Sequence, residues 1–367
     1  MEWIRSEQHQ LHNPALEIWA GTPLEATETP DRAETIAARL ASDARFVELE
    51  ATSHGLETVL RVHDPAMVAW FETCYEECAP WVETREIFPD TMLHPGLLMG
   101  GKRGPEPMDA PLGRLGYWCF DTMTPIVPGT YQAALGAVDT ALSAYDLVAR
   151  RGGAAYALCR PPGHHAARSM IGGFCYLNNA AIVAAAMRHD GAERVAILDV
   201  DYHHGNGTQA IFYEDADVHY VSTHADPMRA FPYFAGYANE TGLGKGEGAN
   251  LNLPLPKGAT DELFLGAVRT GIEAITQRGA EQLVISLGVD TYELDPLSDL
   301  CVSRSAFHEV GKLIGELGLP TVVVQEGGYD TEDLGINVAN VLLGIEGENP
   351  LTADTVRDAS SKIARHV

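Results

Sequence analysis

Residues 196–209 read AILDVDYHHGNGTQ: an apolar strand that ends abruptly in two carboxylates, two imidazoles and two glycines. In an extended chain successive side chains alternate faces, so Asp199, Asp201 and His203 project to one side and His204 to the other. Asp201 and His203 can therefore share a metal ion. The alternative for such a triplet is an ordinary strand terminus closed by an Asp–His hydrogen bond. A buried strand that delivers this much charge at its carboxyl end points to an open α/β sheet, because that edge is where such sheets bind ligands.

Working outward, the chain from Ala154 alternates apolar β-type runs with helical stretches, the pattern of a parallel sheet with helices on both faces. Five strands can be read: Ala154–Cys159, Arg194–Asp199, Val218–Thr223, Gln282–Leu287 and Thr321–Gln325. They are apolar nearly throughout, as strands buried on both faces should be. Asn179–His189, Glu262–Gln277 and Ser303–Leu317 fit helices, with Gly191, Gly279 and Gly318 as stop signals. Earlier in the chain, Thr35–Leu40 and Pro65–Cys78 read as helices. Between them and the sheet, Phe88–Pro111 is a long run of Pro, Gly and Met without periodicity. It is too apolar for a plain linker (Met92, Leu93, Leu97, Leu98, Met99, Met108), so it reads as a lid or subunit-contact loop. No repeat or interdomain linker is evident, and residues 1–367 read as one domain.

The 367 residues carry 51 acidic against 25 basic side chains, a formal charge of −26. Such a surface repels nucleic acid and attracts cations; it steers a cationic ligand or simply keeps the protein soluble in salt. No apolar run approaches the ~20 residues of a membrane helix, and Glu2, Arg5 and Glu7 interrupt any signal-like start, so a cytoplasmic protein is expected. The six cysteines form no CxxC pair, and most of them read as buried, reduced thiols.

Three other clusters also sit where a strand ends. RPPGHHA brings His164 and His165, GVDTYELDP brings Asp290, and EGGYD brings Tyr329. Asp201, His203 and Asp290 make a three-ligand site for a divalent transition metal with positions open for water and substrate. Open coordination implies catalysis: a Lewis-acidic metal polarises a carbonyl and lowers the pKa of water to ~7, which amide hydrolysis requires. The tandem histidines supply general base and acid. Asp199 orients His164, and the Tyr329 hydroxyl can donate to a tetrahedral oxyanion.

With RPPGHHA, GGFCYLNNAA, ILDVDYHHGNGTQ, GVDTYELDP and QEGGYD in this order, the sequence closely resembles the zinc-dependent histone deacetylase family, of the arginase-deacetylase fold. SEQHQLHNPALEIWAG, HGLETVLRVHDPAM, LGYWCFDTMTPIVPGTYQAAL and AFPYFAGYANETG resemble its acetylpolyamine amidohydrolase branch in particular. The resemblance implies a single α/β domain whose mostly parallel central sheet has about eight strands. It implies zinc on Asp201, His203 and Asp290, and a structural potassium ion touching Asp199, Asp201, His203, Ser222 and Thr223. Phe174 and Phe231 become the walls of a narrow tunnel, and Gly173 the backbone acceptor for the scissile amide proton. The loop 88–111 matches one that packs across a twofold dimer and narrows the tunnel mouth.

The sequence departs from the family pattern in two ways. Asn206 stands where many deacetylases carry a second aspartate, leaving His165 without an anionic partner. Leu112 and Met123 occupy tunnel-mouth positions where glutamates are typical of the branch, with Glu106, Asp109 and Asp121 nearby in sequence. The expected activity is deacetylation of small acetylated amines such as acetylputrescine, acetylcadaverine or acetylspermidine. Protein acetyl-lysine or an apolar amide is the enzymatic alternative, a polyamine-binding protein the non-catalytic one. A carboxylate-rich site accepts Fe2+ as well as Zn2+.

Overall fold

The structure is a computed structural model, and it describes residues 1–98 and 102–351. Its centre is an eight-stranded sheet in which every neighbouring pair is parallel. Across the sheet the order is Val47–Glu50, Glu2–Arg5, Ala154–Ala157, Thr321–Gln325, Gln282–Leu287, Val195–Asp199, Val218–Ala225 and Asn250–Leu255. A separate antiparallel hairpin pairs Leu16–Trp19 with Thr22–Glu25.

Side-chain alternation in the inner strands sorts the apolar residues into two cores. Ala155, Ala157, Ile197, Val284, Val322 and Val324 join one, packed under the helices Pro65–Cys78, Thr130–Arg151 and Asn179–His189. Tyr156, Ala196, Leu198, Leu283, Ile285 and Val323 join the other, under Pro30–Ala41, Asp261–Arg278, Arg304–Gly315 and Leu334–Ile345. Local chemistry sets several helix ends. Asn178 caps the helix 179–189 by accepting from the Ala181 N–H (2.9 Å), and Asp64 caps 65–78 in the same way with Pro65 at the first position.

All five strands read from sequence are present, within three residues of their expected ends. The helix expected over Thr35–Leu40 is longer, Pro30–Ala41, because Pro30 starts it rather than interrupts it. The loop 88–111 is not bare: it holds a short 3-10 turn at Pro95–Leu97, the Leu93 N–H donates to the Gly116 carbonyl, and its last residue opens the helix Pro111–Trp118. Met99 and its neighbours at 100 and 101, which belong to the expected contact loop, lie outside the described residues, as do residues 352–367 of the expected single domain.

The register matters most for the site. Asp199 lies level with Ser222 on one side and Ser286 on the other, and Leu287 lies level with Gln325. The loops that follow these strands therefore leave from one edge at one height.

Candidate active site

Asp199 continues the strand alternation and turns its carboxylate toward the loop from Pro161 to Ala166. Its Oδ2 accepts from His164 Nδ1 (3.0 Å) and from the Tyr220 hydroxyl (2.9 Å). Two residues on, Asp201 faces the same way, and its Oδ2 accepts from the Gly327 N–H at 2.7 Å. Val200 and Tyr202, between and after them, pack into the opposite core. His203 Nδ1 then lies 3.0 Å from Asp290 Oδ2 and 3.4 Å from Asp201 Oδ1, while the Tyr202 N–H holds the other Asp290 oxygen at 2.8 Å.

Asp201, His203 and Asp290 each offer one ligand atom, and the three atoms lie within 4.8 Å of one another. Both carboxylates are fully buried. Two buried carboxylates at this separation need a shared cation, and a donor set of two oxygens and one imidazole nitrogen suits a divalent transition metal. The surroundings are cut to these groups: a Cβ on Gly327 would lie 2.5 Å from an oxygen of both Asp201 and Asp290. The residues present fit a metal.

The tandem histidines differ through their partners. His164 is buried; burial alone would lower its pKa, but the Asp199 and Asp201 carboxylates hold it up at about 10. His165 donates from Nδ1 to the neutral Asn206 Oδ1 at 2.7 Å. Burial, with the nearby charges of His164 and His203, pushes it well below the ordinary histidine range. Burial raises the Tyr329 phenol well above its ordinary value, so it stays protonated as a hydrogen-bond donor.

These groups open on a narrow pocket with about 50 Å3 of interior space. Phe231 sets its ring edge-on to His165 (centroids 5.0 Å) and stacks on Phe120, and Phe174 faces Tyr329 at 6.0 Å. Gly173 adopts φ +59°, and a Cβ there would strike the His165 ring at 2.3 Å, so only glycine brings backbone this close. Asp121 fixes this turn: its carboxylate accepts from Gly173 N (2.5 Å), Met123 N and Thr124 Oγ1.

Of the expected site residues, His165, His203, Gly173, Phe174, Phe231, Met123 and Tyr329 line the pocket, and His164, Asp199, Asp201 and Asp290 stand behind it. Ser222 is buried beside Asp199 in register. Thr223 follows it on the opposite face with its hydroxyl buried and without a hydrogen-bond partner. Leu112 does not reach the pocket. It lies on the first turn of the helix 111–118, partly buried against the core, because that helix turns its apolar side inward. The nearby acids do not replace it at the mouth. Asp121 faces the turn it supports, Glu106 accepts from Arg114 Nε (2.7 Å) and Trp118 Nε1 (2.9 Å), and Asp109 is exposed outside the lining.

The carboxylate that does line the pocket is Glu17, on the hairpin strand 16–19, together with Trp19, Tyr202, Arg229, Tyr233 and Leu297. None of these was singled out in sequence, although Glu17 sits within the SEQHQLHNPALEIWAG segment. Three buried supports were also missed. Glu326 accepts from the Gly163 and His164 N–H groups (2.7 and 3.1 Å), joining the two catalytic loops. Asp295 accepts from the Tyr329 N–H at 2.6 Å. Arg32 donates to the carbonyls of Gly328 and Glu326 (both 2.6 Å) and lies over the Tyr329 ring at 4.5 Å.

Residues 26–345 match the histone deacetylase domain family. The chain is 43% identical over 352 residues to the acetylpolyamine amidohydrolase of Mycoplana ramosa, covering 95% of this chain and 100% of that one. It is 42% identical to acetylpolyamine amidohydrolase 1 of Pseudomonas aeruginosa, covering 94% and 98%. The crystal structure of an acetylpolyamine aminohydrolase from Burkholderia pseudomallei superposes with a TM-score of 0.88 at 37% identity, covering 94% of this chain and 98% of that one. With the match running from the first long helix through the last, and the metal-ligand, histidine and tyrosine positions assembled at one sheet edge, the chain belongs to the histone deacetylase family.

Proposed function

We propose that the protein is a metal-dependent amidohydrolase that removes the acetyl group from small acetylated amines, acetylputrescine, acetylcadaverine or acetylspermidine, releasing acetate. One observation carries the substrate class: among the described residues lining the pocket, Glu17 is the one carboxylate, and it shares that narrow pocket with His165 and Tyr329. A carboxylate at the wall favours a chain with a distal ammonium, and an interior this slim favours a linear amine over a protein side chain with bulky neighbours. The relatives named above support the same reading.

A divalent ion held by Asp201, His203 and Asp290 supplies Lewis acidity, polarising the amide carbonyl and acidifying water; Zn2+ is our assignment, with Fe2+ the alternative. His165, neutral beside Asn206, accepts the proton of the attacking water. His164, kept cationic by Asp199, steadies the developing negative charge and returns a proton to the leaving amine. Tyr329 donates to the oxyanion, its ring held by Arg32, and the Gly173 carbonyl accepts the amide N–H. We place a structural potassium ion among Asp199, Asp201, His203, Ser222 and Thr223, on the strength of the register that sets Ser222 beside Asp199.

We also assign a homodimer through the loop 88–111, which presents Leu97 and Met108 to solvent. A cytoplasmic location fits six free cysteines, five of them buried. No described helix is long and apolar enough to cross a membrane, and a charge of −26 disfavours nucleic acid as a partner.

The test is acetate release from acetylcadaverine and from an acetyl-lysine peptide by zinc-loaded protein. The amine should be turned over strongly and the peptide poorly. Tyr329→Phe should lower kcat about a hundredfold or more through loss of one oxyanion donor. Turnover of the peptide alone would overturn the substrate assignment, and turnover of neither would overturn the reaction.

A further inference from the structure

At the amino-terminal edge of the sheet, opposite the catalytic loops, a cleft with about 450 Å3 of interior space lies between the last turn of the helix 261–278 and the start of the strand 218–225. No carboxylate lines it, in a chain whose acidic residues outnumber its basic ones 51 to 25. Its open polar groups are donors. The Arg278 guanidinium makes no ion pair or hydrogen bond among the described residues, and none of its nitrogens is enclosed. Gly248 leaves room for it, since a Cβ there would lie 2.9 Å from Arg278 Nη2. His219, from the strand, is 5% exposed, and its Nδ1 is enclosed without a partner. An enclosed N–H with no acceptor is costly, so the ring proton sits on Nε2, the nitrogen left open. Burial and the Arg278 charge push the His219 pKa down to about 4, which makes it a neutral N–H donor at ordinary pH. Gln277 and Thr241 add an exposed amide and an exposed hydroxyl, neither bonded within the described residues.

An arginine in the last turn of a helix gains from the helix dipole alone. That gain explains neither the buried imidazole set against Arg278 nor the absence of any acid from the cleft wall. A guanidinium fork pairs two oxygens of an oxyanion, and donors converging from a strand, a loop and a helix suit a tetrahedral group better than a planar one. We propose that the cleft is a second binding site, for a small phosphate-bearing ligand, with Arg278 as its charged anchor and His219 Nε2, Thr241 and Gln277 as the surrounding donors. The inference stands apart from the amidohydrolase reading, because none of these four residues touches the catalytic pocket. The strand separates the two sites: from His219 to Ala225 it runs six residues, about 20 Å. One segment nevertheless reaches both of them. Residues 226–249 carry Phe231 and Tyr233 to the catalytic pocket and Thr241 and Gly248 to the cleft, so a ligand here would hold the far end of the segment that walls the pocket.

Calorimetric titration of the metal-loaded protein with inorganic phosphate tests it, at an ionic strength held constant with chloride so that general screening cancels. The wild type should bind with a Kd of about 1 mM or tighter. Arg278→Gln should weaken binding about tenfold or more, through loss of the charge-assisted pair. Arg278→Lys, which keeps the charge and loses the fork, should fall between the two. Gln277→Ala, at an exposed position, should weaken binding severalfold. All three variants should melt at the wild-type temperature, since each removes a side chain that has no partner within the protein. Phosphate that binds the wild type and Arg278→Gln equally well sits elsewhere, on the catalytic metal for instance, and overturns the inference. So does a wild type that takes up no phosphate below about 20 mM.

Discussion

His164 and His165 are neighbours of one type whose proton affinities are driven apart by what each Nδ1 meets, a carboxylate for the first and an amide for the second. Burial and the charges of His164 and His203 keep His165 a weak base, and its neutral partner offsets them only in part. Asn206→Asp would give it an anionic partner and raise its pKa. Because the base works only when neutral, the acid limb of kcat/KM against pH should then move up, by about one unit or more, a shift readable in a pH-rate profile. At this scale the sequence was most legible where neighbours lie on one strand: the alternation of Asp199, Asp201 and His203 follows from the pleat alone. Glu17, Arg32, Arg229 and Glu326 escaped because nothing local marks them. Arg32, Arg229 and Glu326 each hold a partner at least 70 residues away, Glu17 is bonded locally to Thr27 and meets the pocket only in the fold, and Leu112 was misplaced because sequence spacing does not fix which way a short helix faces.

At the scale of elements, the imidazole of His63 ties the start of the helix 65–78 to both flanks of the catalytic loop. Nδ1 donates to the Ala167 carbonyl (3.0 Å) and Nε2 accepts from the Asn178 N–H (2.9 Å). Only the neutral ring does both. Burial accordingly lowers its pKa from the ordinary 6.5 to about 4. The unfolded chain binds a proton there first, so the stabilisation is whole above pH 6.5 and is lost as pH falls toward 4. At pH 5 the loss is about 2 kcal/mol. Melting temperatures from pH 7.5 to 5 should drop more steeply for the wild type than for His63→Gln; equal slopes would deny the linkage. The buried central strands were legible because they are apolar on both faces. The edge strands Val47–Glu50 and Asn250–Leu255 were not: one is exposed along its length and the other carries Asn and Pro, which an outer position tolerates. The helix Thr130–Arg151 starts at Gly129 in a left-handed conformation rather than at a side-chain cap, so its beginning gave no signal.

For the whole molecule, the charge of −26 has two competing explanations that salt separates. If the field concentrates cationic substrates, kcat/KM for acetylcadaverine should fall severalfold, by roughly 3- to 10-fold, as NaCl rises from about 10 to 300 mM, while an uncharged acetanilide is unaffected. Activity that rises with salt on both substrates would assign the charge to salt adaptation. The parallel class of the sheet was legible from strands alternating with helices, but the order of strands was not, since period and propensity say nothing about which neighbour a strand chooses.

That order also bears on how the chain is born. The strand Thr321–Gln325 lies between Ala154–Ala157 and Gln282–Leu287, both of which leave the ribosome before it, the first of them long before. Until it arrives, two apolar strand margins stand open in the nascent protein, and no earlier segment can close them correctly. Synthesis therefore outruns sheet closure for nearly half of the chain's length, which makes the nascent polypeptide a natural client for chaperones, and the loop bearing Tyr329 is anchored only when that last inner strand slots in.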